Sequence, residues 1–223
     1  MSIQPIHKNT RIYKDPSSSD VQLDTLISGL SCAIFLDVLK NAHTHARSTT
    51  NNNAENAYGV YVWQHGIRAL RDATYNLGCV KNSQHGRELL IKVNSEDTVS
   101  IALMRSTKGL CKSESLNQPT NKNPRGKKFQ EMILIQNKET AVLPLFNDLK
   151  NQRYWVLLHD YTDGVITAEL VCPISMSSNG KYMNEYSTRI FIGSVNLNDH
   201  TSEIISKSPK SPKPNISLSR KRA

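Results

Sequence analysis

The chain has 223 residues and a mass of 25.1 kDa; it is 38% hydrophobic and 21% charged, with a net charge of +9 and a pI near 9.4. That length fits one domain of ordinary size around a single substantial core, and no apolar run approaches the roughly 18 residues that a membrane helix requires, so no membrane partner is expected. The four cysteines, Cys32, Cys79, Cys111 and Cys172, lie far apart with no C-x-x-C spacing, which argues for reduced thiols in a cytoplasmic protein, with Cys111 exposed and the other three buried.

The N-terminal text MSIQPIHKNTRIYKDPSSSD lacks an apolar core and is not expected to be a secretory signal. Residues 1–19 read as an extended arm ending in the turn-rich DPSSS, with Ser19 or Asp20 as a cap for the next element. From Val21 to about Ala46 apolar residues recur at spacings of three and four, which predicts one long, mostly buried amphipathic helix interrupted at Gly29. The polar run RSTTNNNAEN breaks that pattern and offers Asn52 or Asn53 as an N-cap. A second helix is expected over about 54–77, with Gly78 placed for a left-handed C-cap.

Short aliphatic runs at 88–94 and 98–105 predict a hairpin through Ser95, Glu96 and Asp97. A basic segment follows, Arg105 to Lys128, in which Arg105, Lys108, Lys112, Lys122, Arg125, Lys127 and Lys128 face one acid, Glu114, for a net +6. The stretch from Ile204 to Ala223 carries another +6 with no acid, so the remainder of the chain sums to −3. The alkaline pI therefore belongs to one loop and one tail, a distribution suited to a polyanion and equally to a Lys-rich, solvated loop. Residues 129–136 predict a short helix, and 141–150 is ambiguous around Pro144. Runs at 153–161 and 165–172 flank Thr162, Asp163 and Gly164, a hairpin signal because Asp-Gly accepts positive φ. A last strand is expected at 188–195, and residues 201–223, rich in Pro, Ser and Lys, read as a disordered basic tail. The sum is an α+β domain over residues 20–200: about five antiparallel strands with two long N-terminal helices on one face. Ile166, Ala168 and Leu170 would face the helices, and Thr167 and Glu169 would face outward.

The segment AYGVYVWQHGIRALRDATYNLG, with the later loop Asn123-Pro124-Arg125-Gly126 and the strands at Trp155–Leu158 and Ala168–Pro173, resembles a group of uncharacterised bacterial and prophage proteins that share a W-Q-x-G-x-R-A-L-R segment. The resemblance implies a cytoplasmic, mobile-element setting over about residues 54–195 and transfers no catalytic residue.

Several constellations carry chemistry. Glu88, Lys92, Glu169, Arg189 and His159 would gather on the outer sheet face, and two carboxylates near a lysine are the parts of a divalent-metal nuclease using Glu169 with Glu88 or Asp160. Cross-strand ion pairs such as Glu169 with Arg189 account for the same residues. On a helix His43 and His45 point about 200° apart, which argues against a metal site and for a solvated helix end. Arg68, Arg71 and His65 interleave with Tyr61 and Trp63 on the second helix, a surface suited to stacking on unpaired bases; the alternative buries Trp63 and pairs the arginines with Asp72 or helix ends. PRGKK fails as a nucleotide-hydrolysing loop because Lys128 stands where Ser or Thr is needed and Asn121 where Gly is needed; Gly126 at a helix entry retains the geometry to hold a phosphate. Neither a G-x-S-x-G nor a Cys–His signature is present. The expected function is non-enzymatic binding of DNA or RNA through Arg68, Arg71, Arg105, Lys108, Lys122, Arg125, Lys127, Lys128 and the tail, without a cofactor or metal. The alternative partner is an anionic protein surface, as for an inhibitor of a host enzyme.

Overall fold

The computed structural model describes residues 10–84, 87–93, 98–107, 109–112, 118–137 and 152–198. Lys108, Ser95–Asp97, residues 141–150 and the 201–223 tail lie outside the described residues, so the readings made for them are not tested. Among the described residues, seven strands form one sheet: β1 (Arg11–Tyr13), β2 (Val80–Gln84), β3 (Arg87–Val93), β4 (Thr98–Arg105), β5 (Gln152–Thr162), β6 (Val165–Met176) and β7 (Met183–Asn196), in the spatial order β1-β7-β6-β5-β4-β3-β2. Most neighbours are antiparallel; β1 with β7 and β4 with β5 are parallel. Four helices, α1 (Pro16–Leu26), α2 (Cys32–Ala46), α3 (Ala57–Thr74) and α4 (Lys127–Gln136), accompany the sheet.

The α+β class holds, and its details change. The sheet has seven strands rather than five, and helices cover both faces. Leu90, Ile101, Leu103, Trp155, Leu157, Ile166, Ala168, Leu170 and Ile190 pack with Leu23, Phe35, Leu39, Ile67 and Leu70 of α1–α3. On the other face Leu89, Ile91, Tyr154, Val156, Leu158, Val171 and Tyr186 pack with Phe129, Met132 and Ile133 of α4. Each fully buried aliphatic or Phe side chain contributes about 1.5–3 kcal/mol relative to exposure, so the two cores make the central strands the most stable part of the fold. Ile166, Ala168 and Leu170 face α1–α3 as the alternation predicts.

The long helix expected over 21–46 is two helices, and helix begins at Pro16, inside the segment read as an arm. Pro suits the first helical turn because its missing N–H has no partner there in any case. Gly29 adopts φ +85°, a left-handed conformation that ends the run, and its N–H donates to Asp24 Oδ1 at 2.7 Å. Asp20, expected as a cap for the first helix, lies inside α1 and accepts from the N–H of Cys32 at the start of α2. Ser31 is the N-cap of α2. For α3 the N-cap is Asn56, without a side-chain bond, while Asn53 Oδ1 accepts from Thr50 N. Gly78 is left-handed at φ 73°, as expected, after a short 3-10 turn at Tyr75–Leu77. Gly66 of α3 lies against β4: a Cβ there would come within 2.5 Å of Leu103 Cδ2, so glycine sets how closely the helix approaches the sheet. The Asp163-Gly164 turn has positive φ at both positions (53° and 83°) and fixes the β5–β6 register. No helix among the described residues is long and apolar enough to cross a membrane.

Candidate functional site

β4 and β5 run parallel, with Arg105 opposite His159 near their carboxyl ends. The chain leaves β4 into the basic segment and returns along its own path: Ser106 and Asn121 form a bridge, Lys122 N donates to Arg105 O at 2.8 Å, and Thr107 N donates to Thr120 O at 2.9 Å. Asn121 is fully buried and holds this return. Its Nδ2 donates to Asn123 O and Lys181 O, and its Oδ1 accepts from Met183 N at 2.8 Å. Arg125 N donates to Lys181 O at 2.9 Å. The segment is thus laid down against the start of β7 and the turn that precedes it, and backbone bonds fix the main chain on both sides of Lys122.

A second anchor holds its middle. Glu169 and Arg189, both fully buried, pair with Arg189 Nε donating to Oε1 at 2.5 Å and Nη2 to Oε2 at 3.0 Å. Glu169 Oε2 also accepts from Cys111 N at 2.9 Å, and Arg189 donates to Lys112 O at 3.0 Å. Burial raises the Glu169 carboxyl pKa, and the guanidinium and the Cys111 N–H pull against it. Cys111 is half-buried rather than exposed, and burial pushes its thiol up to about 11, far from a thiolate at neutral pH. Cys32, Cys79 and Cys172 are buried and free, as expected.

Beyond the end of β4 lies a cleft of about 420 Å³. Arg105, Lys122, Asn123 and Arg125 come to it from the basic segment, Tyr58, Val60, Val62 and Trp63 from α3, Glu55 and Asn56 from the approach to α3, and His43 and His159 from α2 and β5. Trp63 is 43% exposed, so it is not the core residue that its aromatic character permits. His43, read as part of a solvated helix end, is buried. Its Nδ1 is 2.9 Å from Tyr58 Oη and its Nε2 is 3.3 Å from His159 Nδ1. Burial lowers the His43 pKa to about 4, with Arg105 adding to the effect and Asp160 opposing it. For His159 burial, then His43 and Arg105, lower it to about 3. With both pKa values well below 7 the two rings are neutral at that pH, and the contact between them needs at least one neutral ring, since one nitrogen must accept what the other donates.

Of the residues assigned to binding, Arg105, Lys122 and Arg125 converge on this cleft. Lys127 and Lys128 are exposed in the first turn of α4 and do not line it. Arg68 is exposed, pairs with Asp72 at 3.6 Å and lines a different hollow of about 520 Å³ between α2 and α3, beside the stacked His45 and His65. Arg71 pairs with Glu88, whose pKa is lowered by that bond and by Ser83. The proposed gathering on the outer sheet face does not form. Glu88 and Lys92 reach α3 and the Leu77 carbonyl, and His159 reaches α2, whereas Glu169 and Arg189 lie on the opposite face beneath the basic segment. Among the described residues no group of three or more His, Cys, Asp or Glu is placed to hold a metal ion. Arg105 faces Asp160 across 3.8 Å. No family model, no curated protein and no solved structure matches this chain.

Proposed function

We propose that the protein binds nucleic acid through the cleft beyond β4, with Arg105, Lys122 and Arg125 facing phosphate. The observation that carries this reading is the convergence of three cations, from positions 105, 122 and 125, on one cleft that also offers a half-exposed tryptophan. Backbone bonds at positions 122 and 125 order the main chain that carries these cations, which lowers the loop-ordering part of the binding cost, and phosphate contacts dominate the affinity of such proteins. A cytoplasmic role in a bacterium or mobile element belongs to the same proposal.

A salt series tests it. Binding of labelled single- and double-stranded DNA and RNA is followed by anisotropy for the wild type and for Lys122→Gln/Arg125→Gln. Loss of two phosphate contacts lowers the slope of log K against log salt by about 1.4 on single strands and about 1.8 on duplex. An unchanged slope removes these residues from the interface. The second reading, a protein-interaction module, rests on Trp63 and Val60, which are 43% and 40% exposed beside arginine in the manner of an interface hot spot; a stoichiometric partner that survives nuclease and high salt selects it. The nuclease reading draws no such support: Glu88 lies on the face opposite Glu169, Asp160 is paired with Arg105, and among the described residues no group of three or more His, Cys, Asp or Glu is placed to hold a metal ion.

A further inference from the structure

We infer that the cleft accepts one unpaired nucleotide, its phosphate against Arg105, Lys122 and Arg125 and its base against Trp63, so that the protein selects single strands over duplex. The inference rests on the nucleic-acid reading and deepens it. A volume of about 420 Å³ lies within the range of sites that enclose a small ligand, roughly 300–1,000 Å³. The cleft is closed behind by buried Leu103, Met104, His43 and His159. A paired base is held in its stack and offers only backbone to such an opening, whereas an unpaired base is free to enter. The lining divides by chemistry to match a nucleotide: α3 contributes Tyr58, Val60 and Trp63, and β4 with the returning segment contributes the cations. Trp63 is left 43% exposed in this lining, beside the cations; stacking on a base uses such a ring, and base–aromatic stacking tolerates any base. Asn56 and Asn123 add donors and acceptors for base edges. Three cations against Glu55 leave a small positive excess in the lining, suited to a single phosphodiester or monophosphate more than to a triphosphate.

The shared chemistry is a nucleoside monophosphate unit, free or within a strand, and the test separates the two. The full chain is titrated with labelled single-stranded oligonucleotides, with blunt duplexes of equal length, and with AMP and UMP while tryptophan emission is recorded. The chain has two tryptophans and Trp155 is buried, so quenching reports Trp63. Single strands are expected to bind at least about tenfold tighter than duplex, and Trp63→Ala to weaken them by about fivefold to 150-fold, with Trp63→Phe retaining part of the affinity. The duplex affinity and its salt slope stay unchanged in Trp63→Ala. Equal binding of single strand and duplex, or no effect of Trp63→Ala, overturns base insertion while nucleic-acid binding stands. Quenching by AMP or UMP without binding of any strand supports the nucleotide site and overturns the strand as its source. No binding of any probe overturns both readings.

Discussion

His43 and His159 make the stability of this protein depend on pH below about 6.5, the pKa of an ordinary histidine. Both rings are buried and neutral in the folded chain, with pKa values near 4 and 3, against 6.5 for an ordinary histidine. A group whose folded pKa is depressed contributes stability that is fully present above the unfolded pKa and is lost as pH falls toward the folded one, because the unfolded chain takes up a proton that the folded chain refuses. The loss begins near pH 6.5 and runs at about 1.4 kcal/mol per pH unit for each ring, so by about pH 5 one ring has removed about 2 kcal/mol and the pair up to about 4 kcal/mol. That is a large fraction of the 5–15 kcal/mol typical of a domain. Arg105 adds to the penalty on both rings, and Asp160 relieves it at His43. Urea unfolding of the wild type and of His43→Gln/His159→Gln at several pH values between about 7.5 and 5 measures the slope; Gln keeps a donor and an acceptor without titrating. A wild type whose stability is flat over that range, or a double variant that loses stability just as steeply, refutes the burial and neutrality of the pair.

Two further outcomes follow from the anchors of the basic segment. Arg189→Met strands the buried Glu169 and is expected to cost about 3–5 kcal/mol at pH 7 in denaturant unfolding; lowering the pH recovers part of this as Glu169 protonates, and a cost below about 1 kcal/mol contradicts a buried pair. Asn121→Ala removes bonds to Asn123, Lys181 and Met183 and is expected to destabilise by about 1–3 kcal/mol. Because it releases the arm that holds Lys122 and Arg125, it also weakens oligonucleotide binding in the anisotropy assay without removing a charge; unchanged affinity shows that those cations need no positioning.

Local signals in the chain were informative, and long-range ones were not. The Asp163-Gly164 turn, the left-handed Gly78 and the apolar alternation of β6 each depend on neighbours within a few residues. Strand β1 has three residues and a parallel partner 177 positions later, and β2, with sequence VKNSQ, carries no apolar alternation; neither has a local signature. The face of His159 was in principle legible. A two-residue turn pairs Thr162 with Val165 and therefore His159 with Ala168, and paired residues share a face, so placing Ala168 toward the helices places His159 there too. What no spacing shows is that His43, 116 positions away, comes to meet it. The convergence of Arg105 with Lys122 and Arg125 depends on Asn121, an amide whose role in a polar loop is invisible until its partners Lys181 and Met183, at the entry to β7, are known.

The parallel pairing of β1 with β7 also bears on how the chain is made. The first described strand lies against the last, and α1 packs on β7 as well. During vectorial synthesis the N-terminal segment therefore emerges long before the strand that receives it, and Ile12 and Tyr13 wait without their sheet partners until residues 189 and 190 have left the ribosome. Domains tend to fold as units, and pairing of such sequence separation forms slowly because loop closure precedes its reward. Truncation within β7 would consequently unseat β1 as well, so that a strand made late in synthesis secures one made about 177 residues earlier.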